Sequence, residues 1–270
     1  MITNQPTGVP LEDGAIGLES LQGINAVLIQ QKLELAEIVL DVETQNQYDI
    51  LTMDNKLLFR VAEQSSFCVR CCCRNRRGFS MHVMDGNKNS ANKFLLTLLA
   101  NLHDRSIILK SDDIMAVHVV MKVNRSFQCC QCRCACIFCS CDKINVEAPP
   151  GKQIGFVRQK CGLTIKLDVF DADENKFAYI IGPTWCCGCY PCCGREKVFK
   201  IYSSRDDSCI GTITKLWGGV IKEFFTDADS FKVEFPIDMS IPAKAVLIGT
   251  AFLIDFIAFE DNQPKKKDNS

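Results

Sequence analysis

One stretch near the C-terminus restricts the possible folds more than any other. It reads Ile241-Pro-Ala-Lys-Ala-Val-Leu-Ile-Gly-Thr-Ala-Phe-Leu-Ile-Asp-Phe-Ile-Ala-Phe259, and Ala245 to Ile254 carries no charge. Pro242 suits a first helical position. As a helix, Pro242 to Phe259 would be about 27 Å long, near the roughly 30 Å of a bilayer core. A helix that is apolar on almost every side is buried in lipid or in protein. Its two charges bear on that choice. Lys244 and Asp255 share a helical face but stand about 16 Å apart along the axis, too far to pair. Each opposes the helix dipole, so each needs a partner on whatever surrounds the helix. The charge-free run is shorter than the usual transmembrane minimum, and this favours a protein core over a lipid span.

What precedes the helix reads as short strands. Leu33, Leu35 and the β-branched residues of Ile24 to Val42 favour strands, as do Tyr48 to Thr52 and Leu57 to Ala62. The same reading covers Phe79 to Met84, Ile144 to Val146, Ile154 to Gln159, Leu163 to Phe170, Phe177 to Ile181, Val198 to Ser203, Cys209 to Lys215, Val220 to Thr226 and Phe231 to Phe235. Many short strands before one apolar helix imply a mainly β fold. The simplest form is a closed antiparallel barrel with the helix down its middle, which leaves no exposed sheet edge. Residues 1–22 read as a flexible lead, 23–260 as the barrel domain with its helix at 242–259, and 261–270 as a polar tail. Between about 86 and 118 the texture changes: Phe94, Leu95, Leu98, Leu99 and Leu102 have helical spacing, as in an insertion.

The 270 residues are 47% hydrophobic with a net charge of −1, enough for one large core and without a global field for nucleic acid. No secretory signal is visible in Met1 to Gly23, which points to a reducing compartment. The 18 cysteines are therefore not read as a disulfide framework. They cluster: Cys68 with Cys71 to Cys73, then Cys129, Cys130, Cys132, Cys134, Cys136, Cys139 and Cys141, then Cys186 to Cys193. Zinc would need four thiolates around one ion, which contiguous pairs do not readily supply. Reversible S-acylation fits the cysteine-plus-arginine texture of Cys129 to Cys141 better, because acyl chains and basic residues act jointly at an acidic membrane surface. Cys161 and Cys209 read as buried small side chains.

The sharpest acidic stretch is Asp227-Ala-Asp-Ser-Phe-Lys-Val-Glu-Phe-Pro-Ile-Asp238, with Asp at positions 1, 3 and 12. That spacing suits a hard cation. Lys232 at position 6, Pro236 and the alternating Phe231, Val233 and Phe235 suit a strand turn capped by Asp227 and Asp229 instead. Both readings stand on the residues alone. No phosphate-cradling glycine loop with Lys-Ser/Thr is present, and His82, His103 and His118 are too scattered for a triad, so no enzymatic site is read.

Several of these stretches together resemble the phospholipid scramblases of the tubby-like superfamily. They are Gly17-Leu-Glu-Ser-Leu21, Glu43-Thr44 with Tyr48, Cys71 to Cys73, Glu147-Ala-Pro-Pro-Gly151, Thr226-Asp-Ala-Asp-Ser-Phe231, Lys244-Ala-Val-Leu-Ile-Gly249 and Phe252-Leu-Ile-Asp-Phe256. The resemblance implies a twelve-stranded barrel around the C-terminal helix. It implies calcium-stimulated, ATP-independent movement of phospholipids between leaflets, at the cytoplasmic face of the plasma membrane. Calcium ligands would be Asp227, Asp229, Phe231, Val233, Phe235 and Asp238, and palmitate would sit in the cluster equivalent to Cys129 to Cys141. Three departures matter. A long Pro-rich N-terminal extension is nearly absent, so SH3 and WW-type partners are not implied. The segment from Gly86 to His118 has no counterpart. Gly211 to Trp217 keeps one basic residue, Lys215, where the family has a nuclear-import segment. The alternative function is a palmitoylated module on the cytoplasmic leaflet that binds lipids or protein partners without scrambling.

Overall fold

The structure is a computed structural model that describes residues 17–32, 46–65, 77–86, 119–126, 142–162, 164–183, 197–216 and 230–259. Twelve strands precede one helix. They are β1 (Ala26–Lys32), β2 (Gln47–Leu51), β3 (Leu57–Gln64), β4 (Phe79–Asp85), β5 (Val119–Arg125), β6 (Lys143–Glu147), β7 (Gln153–Lys160), β8 (Lys166–Asp171), β9 (Lys176–Ile181), β10 (Lys197–Ser203), β11 (Cys209–Leu216) and β12 (Ser230–Glu234), followed by α1 (Ile241–Ala258). Each strand pairs antiparallel with its neighbours in sequence, and β12 closes onto β1 through Val27 opposite Val233. The expected mainly β barrel around a C-terminal helix is the fold observed.

Period-two alternation drives the closure. Tyr48 and Ile50, Met81 and Val83, Met121 and Val123, Ile144 and Val146, and Phe231 and Val233 are all almost completely buried, with polar residues between them. Their inward side chains meet α1. Ala245 to Ala258 is buried throughout, so the helix fills the barrel and the lining has no water to face. By length and composition α1 could cross a membrane, but 83% of it lies buried inside the protein. Ser240 caps its first turn by accepting from the Ala243 N–H at 3.4 Å, and Pro242 follows within that turn. Close approach of helix to wall depends on glycine. A Cβ on Gly155 of β7 would stand 2.7 Å from Val246 Cγ2 and closer still to the Phe170 carbonyl oxygen.

Successive antiparallel strands place alternate connections at opposite rims. The helix begins at one rim, beside the turns Thr52–Lys56, Ala148–Lys152, Asp171–Asn175 and Ser204–Ser208. It ends at the other rim, where β1 leads to β2, β3 to β4, β5 to β6, β7 to β8, β9 to β10 and β11 to β12.

Two expectations change. Residues 17–22 are not a free lead: Glu19–Leu21 forms a 3-10 turn, and Leu18 and Leu21 are each 1% exposed beneath the helix start. The carbonyls of this turn are needed by Lys244, and its two leucines cover the open end of the apolar lining. Strand β5 lies just beyond the expected insertion and was not foreseen, because Val119-Val120 breaks the alternation, and the register with β4 shifts between Val83 and Met84. The helical spacing at Phe94 to Leu102, the strand expected at Val220 to Thr226 and the tail 261–270 lie outside the described residues.

Candidate functional site

The helix charges find partners at both ends of the barrel. At the helix start, Lys244 Nζ donates to the carbonyls of Ile24 at 2.8 Å, Ile237 at 2.9 Å and Leu21 at 3.2 Å. Three oxygens saturate an ammonium group, yet none is a carboxylate. Burial pushes the Lys244 pKa down, and the charge of Asp238 acts in the opposite direction. The Phe235 ring lies 5.4 Å from the ammonium.

At the helix end, Asp255 accepts from the Tyr48 hydroxyl at 2.8 Å and from Lys215 Nζ at 3.3 Å. Lys215 is 1% exposed and lies over the rings of Phe231 and Phe259, at 4.3 and 4.6 Å. Two more buried ion pairs complete this end. Arg77 binds Glu63 through two hydrogen bonds of 2.7 and 3.0 Å, and Arg125 binds Asp142 at 2.8 Å. Both guanidinium groups face the Phe256 ring, at 4.6 Å for Arg77 and 5.8 Å for Arg125. Here three cations meet three carboxylates around the last turn of α1. Balanced, hydrogen-bonded charge of this kind holds the helix in one position more than it adds net stability.

Sequence reasoning identified Lys244 and Asp255 but not their partners. Tyr48 entered only as a motif residue, and Lys215 only as the remnant of a basic segment. Arg77 and Arg125 entered only as basic residues beside the cysteine clusters, whereas both are buried, and Glu63 and Asp142 were missed. The available signal was a charged residue at an inward position of an alternating strand, as with Lys215 after Ile213.

The expected cation loop is only partly described. Asp227 and Asp229 lie outside the described residues. Phe231, Val233 and Phe235 are at most 4% exposed, with side chains in the core, and Asp238 is exposed beyond Pro236. Phe231 and Val233 are paired on both sides, to Ile29 and Val27 of β1 and to Lys215 and Ile213 of β11. Of the six, Phe231 and Val233 lie within an extended strand, Phe235 directly follows it, and Asp238 belongs to the exposed turn beyond Pro236. Among the described residues, no group of three or more His, Cys, Asp or Glu side chains could hold a metal ion.

The palmitoylation candidates Cys129, Cys130, Cys132, Cys134, Cys136, Cys139 and Cys141 lie outside the described residues, as do the clusters at Cys68 to Cys73 and Cys186 to Cys193. The strands they connect are described. In sequence the three clusters fall between β3 and β4, β5 and β6, and β9 and β10, and the strand ends that flank them lie at the rim where α1 ends. The expectation of burial for Cys161 and Cys209 is overturned. Both are exposed, because Cys161 follows the last residue of β7 and Cys209 opens β11, positions at the edge of the wall rather than inside it.

Comparison with known proteins agrees with this arrangement. A family model described as Scramblase matches residues 5–97 and 97–261. Human phospholipid scramblase 1 is 33% identical over 245 residues, covering 90% of this chain and 66% of that protein. Bovine phospholipid scramblase 2 is 31% identical over 256 residues, covering 94% of this chain and 75% of its own length. Human phospholipid scramblase 4 is 28% identical over 265 residues, covering 98% and 70%. No solved structure matches.

Proposed function

Because the chain belongs to the scramblase family, we propose that it acts at a membrane and moves phospholipids in both directions between leaflets, as a lipid transporter rather than an enzyme. The observation that carries this reading is the extent of the likeness, which runs from the lead into the barrel and on through α1. Mixing two leaflets is downhill, so the proposal needs no ATP. Calcium enters as a stimulus, with Asp227, Asp229 and Asp238 as its carboxylates. Acyl chains on Cys129 to Cys141 would anchor the protein at the cytoplasmic face of the plasma membrane, with two or more chains needed for stable attachment.

The test uses purified full-length chain in liposomes carrying a headgroup-labelled phospholipid, without ATP. The expected result is exposure of inner-leaflet label to an external quencher, faster with calcium than with chelator. Replacing Asp227 and Asp229 with Asn should remove the calcium response. Label that stays protected under every condition would sink the transport reading.

A second reading has its own support. The described barrel is filled by α1 and has an apolar lining, so it offers no polar path for a headgroup through the protein. A lipid-anchored module that binds lipids or protein partners accommodates that filled core. Vesicle binding without lipid movement would favour it.

A further inference from the structure

The outer wall near the rim where α1 ends has an uneven charge distribution. Lys143 on β6 stands directly opposite Arg158 on β7, and Lys160 on β7 directly opposite Lys166 on β8. All four are exposed. Like charges placed directly across a ladder repel, and a fold selected for stability alone would avoid two such pairs side by side. One carboxylate lies among them. Asp168, 6% exposed, stands directly opposite Arg158 and binds Lys160 at 3.0 Å and Lys176 at 3.4 Å. Among the described residues, Lys143, Arg158 and Lys166 have no carboxylate within ion-pair distance.

Beneath the cations the wall carries buried aromatic rings. Phe156 and Phe170 stack on the outside of the wall, with centroids 4.5 Å apart and planes 9° from parallel. Lys143 lies 4.4 Å from the Phe156 ring and Arg158 5.2 Å from the Phe170 ring. These contacts hold the long side chains against the wall and keep their charges close together at fixed positions. Among the described residues, the turns at the opposite rim are more acidic: they expose Asp54, Asp173, Glu174, Asp206, Asp207 and Asp238, against Lys56, Lys152, Lys176 and Arg205.

We infer that the outer face of β6, β7 and β8, at the rim where α1 ends, is a docking surface for a bilayer carrying anionic phospholipid. The inference rests on the membrane role proposed above and adds an orientation to it. An anionic surface relieves the repulsion of Lys143 with Arg158 and of Lys160 with Lys166, and it attracts each cation within a Debye length. The acidic turns at the far rim are repelled by the same surface. The barrel therefore settles with the end of α1 toward the lipid and the start of α1 toward solvent.

Sedimentation of the full-length, non-acylated chain with vesicles tests this. One set is phosphatidylcholine alone, and the other contains phosphatidylserine as well. The combined variant Lys143→Gln, Arg158→Gln, Lys166→Gln spares the Lys160–Asp168 pair, and Lys56→Gln, Lys152→Gln, Arg205→Gln makes the same charge change at the far rim. The expected result is preference of the parent for anionic vesicles, a loss of about tenfold or more in the first variant, and near-parental binding in the second. Raised salt should erase the difference. Thermal melts of both variants check that each has folded. A folded first variant that binds like its parent overturns the inference, as does a parent that binds both vesicle types equally, and either leaves the patch to an acidic protein partner. Label exposure on the same vesicles keeps the two proposals separate. Docking without lipid movement overturns the transport reading alone, whereas lipid movement without anionic preference overturns the docking surface alone.

Discussion

A carboxylate inside an otherwise apolar helix is expensive unless its surroundings supply both charge and donors, and Asp255 receives both. Asp255→Leu removes the carboxylate that Lys215, 1% exposed, donates to and leaves the Tyr48 hydroxyl without this acceptor. Denaturant unfolding should then show a loss of about 3–5 kcal/mol. Adding Lys215→Met should recover much of it, because an apolar pair of similar volume needs no desolvation. If the single variant is as stable as the parent, Asp255 does not fix the helix. Lys244 behaves differently, since burial lowers its pKa in the folded state. In the unfolded chain the amine keeps its proton up to a higher pH, so the unfolded state binds more protons across the interval between the two values. Stability therefore rises with pH through that alkaline interval, up to about 10.5. The parent should gain stability over Lys244→Met as the pH rises toward about 10.5, measured by urea unfolding of both proteins. A constant difference would mean that the folded amine keeps its proton. That these two charges needed partners was legible from their place in an apolar run. The partners themselves were not, because Tyr48 and Lys215 stand 207 and 40 positions from Asp255 and only closure of the barrel brings them together.

Elements were legible where alternation was clean, as in β2 and β4, whose buried and half-buried residues alternate. They were less so where a strand carries apolar side chains on both faces. Phe156 and Phe170 are buried on the outside of the wall, so β7 and β8 have apolar runs in place of alternation. Strand β5 shows the opposite difficulty: its inward Met121 and Val123 are regular, but its start is masked by two adjacent valines. The approach of α1 to the wall was not readable, because it depends on which glycines lie under the helix. Two substitutions rank those contacts. At Gly155 an added methyl meets a backbone carbonyl that cannot swing aside, so Gly155→Ala should lose about 1–3 kcal/mol. At Gly249 the nearest atoms are Val146 Cγ2 at 3.1 Å and Val123 Cγ2 at 3.3 Å. A few tenths of an ångström of movement accommodates them, and alanine favours the helix by about 1 kcal/mol, so Gly249→Ala should be close to neutral. Equal losses in thermal or denaturant melts would mean that helix and wall are less closely packed at Gly155 than the structure has them.

For the whole molecule the question is whether α1 can leave the barrel and enter a bilayer. Its composition permits a span, and its neighbours oppose one. Eleven of its apolar side chains are buried, and they cover a lining drawn from every strand of the barrel. At about 2 kcal/mol for each side chain, release into water would cost tens of kcal/mol before the lining is counted. Net stabilities of about 5–15 kcal/mol cannot absorb that. Lipid would compensate the helix but not the emptied barrel, and Lys215 would be left without Asp255. The helix is therefore a structural core, and any membrane activity has to operate with it in place. Deleting Lys244 to Phe259 tests this directly. The expected product is aggregated and protease-sensitive, because the apolar lining is left facing water. If α1 were instead an anchor appended to a finished domain, the same deletion would give a soluble, compact monomer. Size exclusion with limited proteolysis separates the two results, and the second would sink the central-helix barrel.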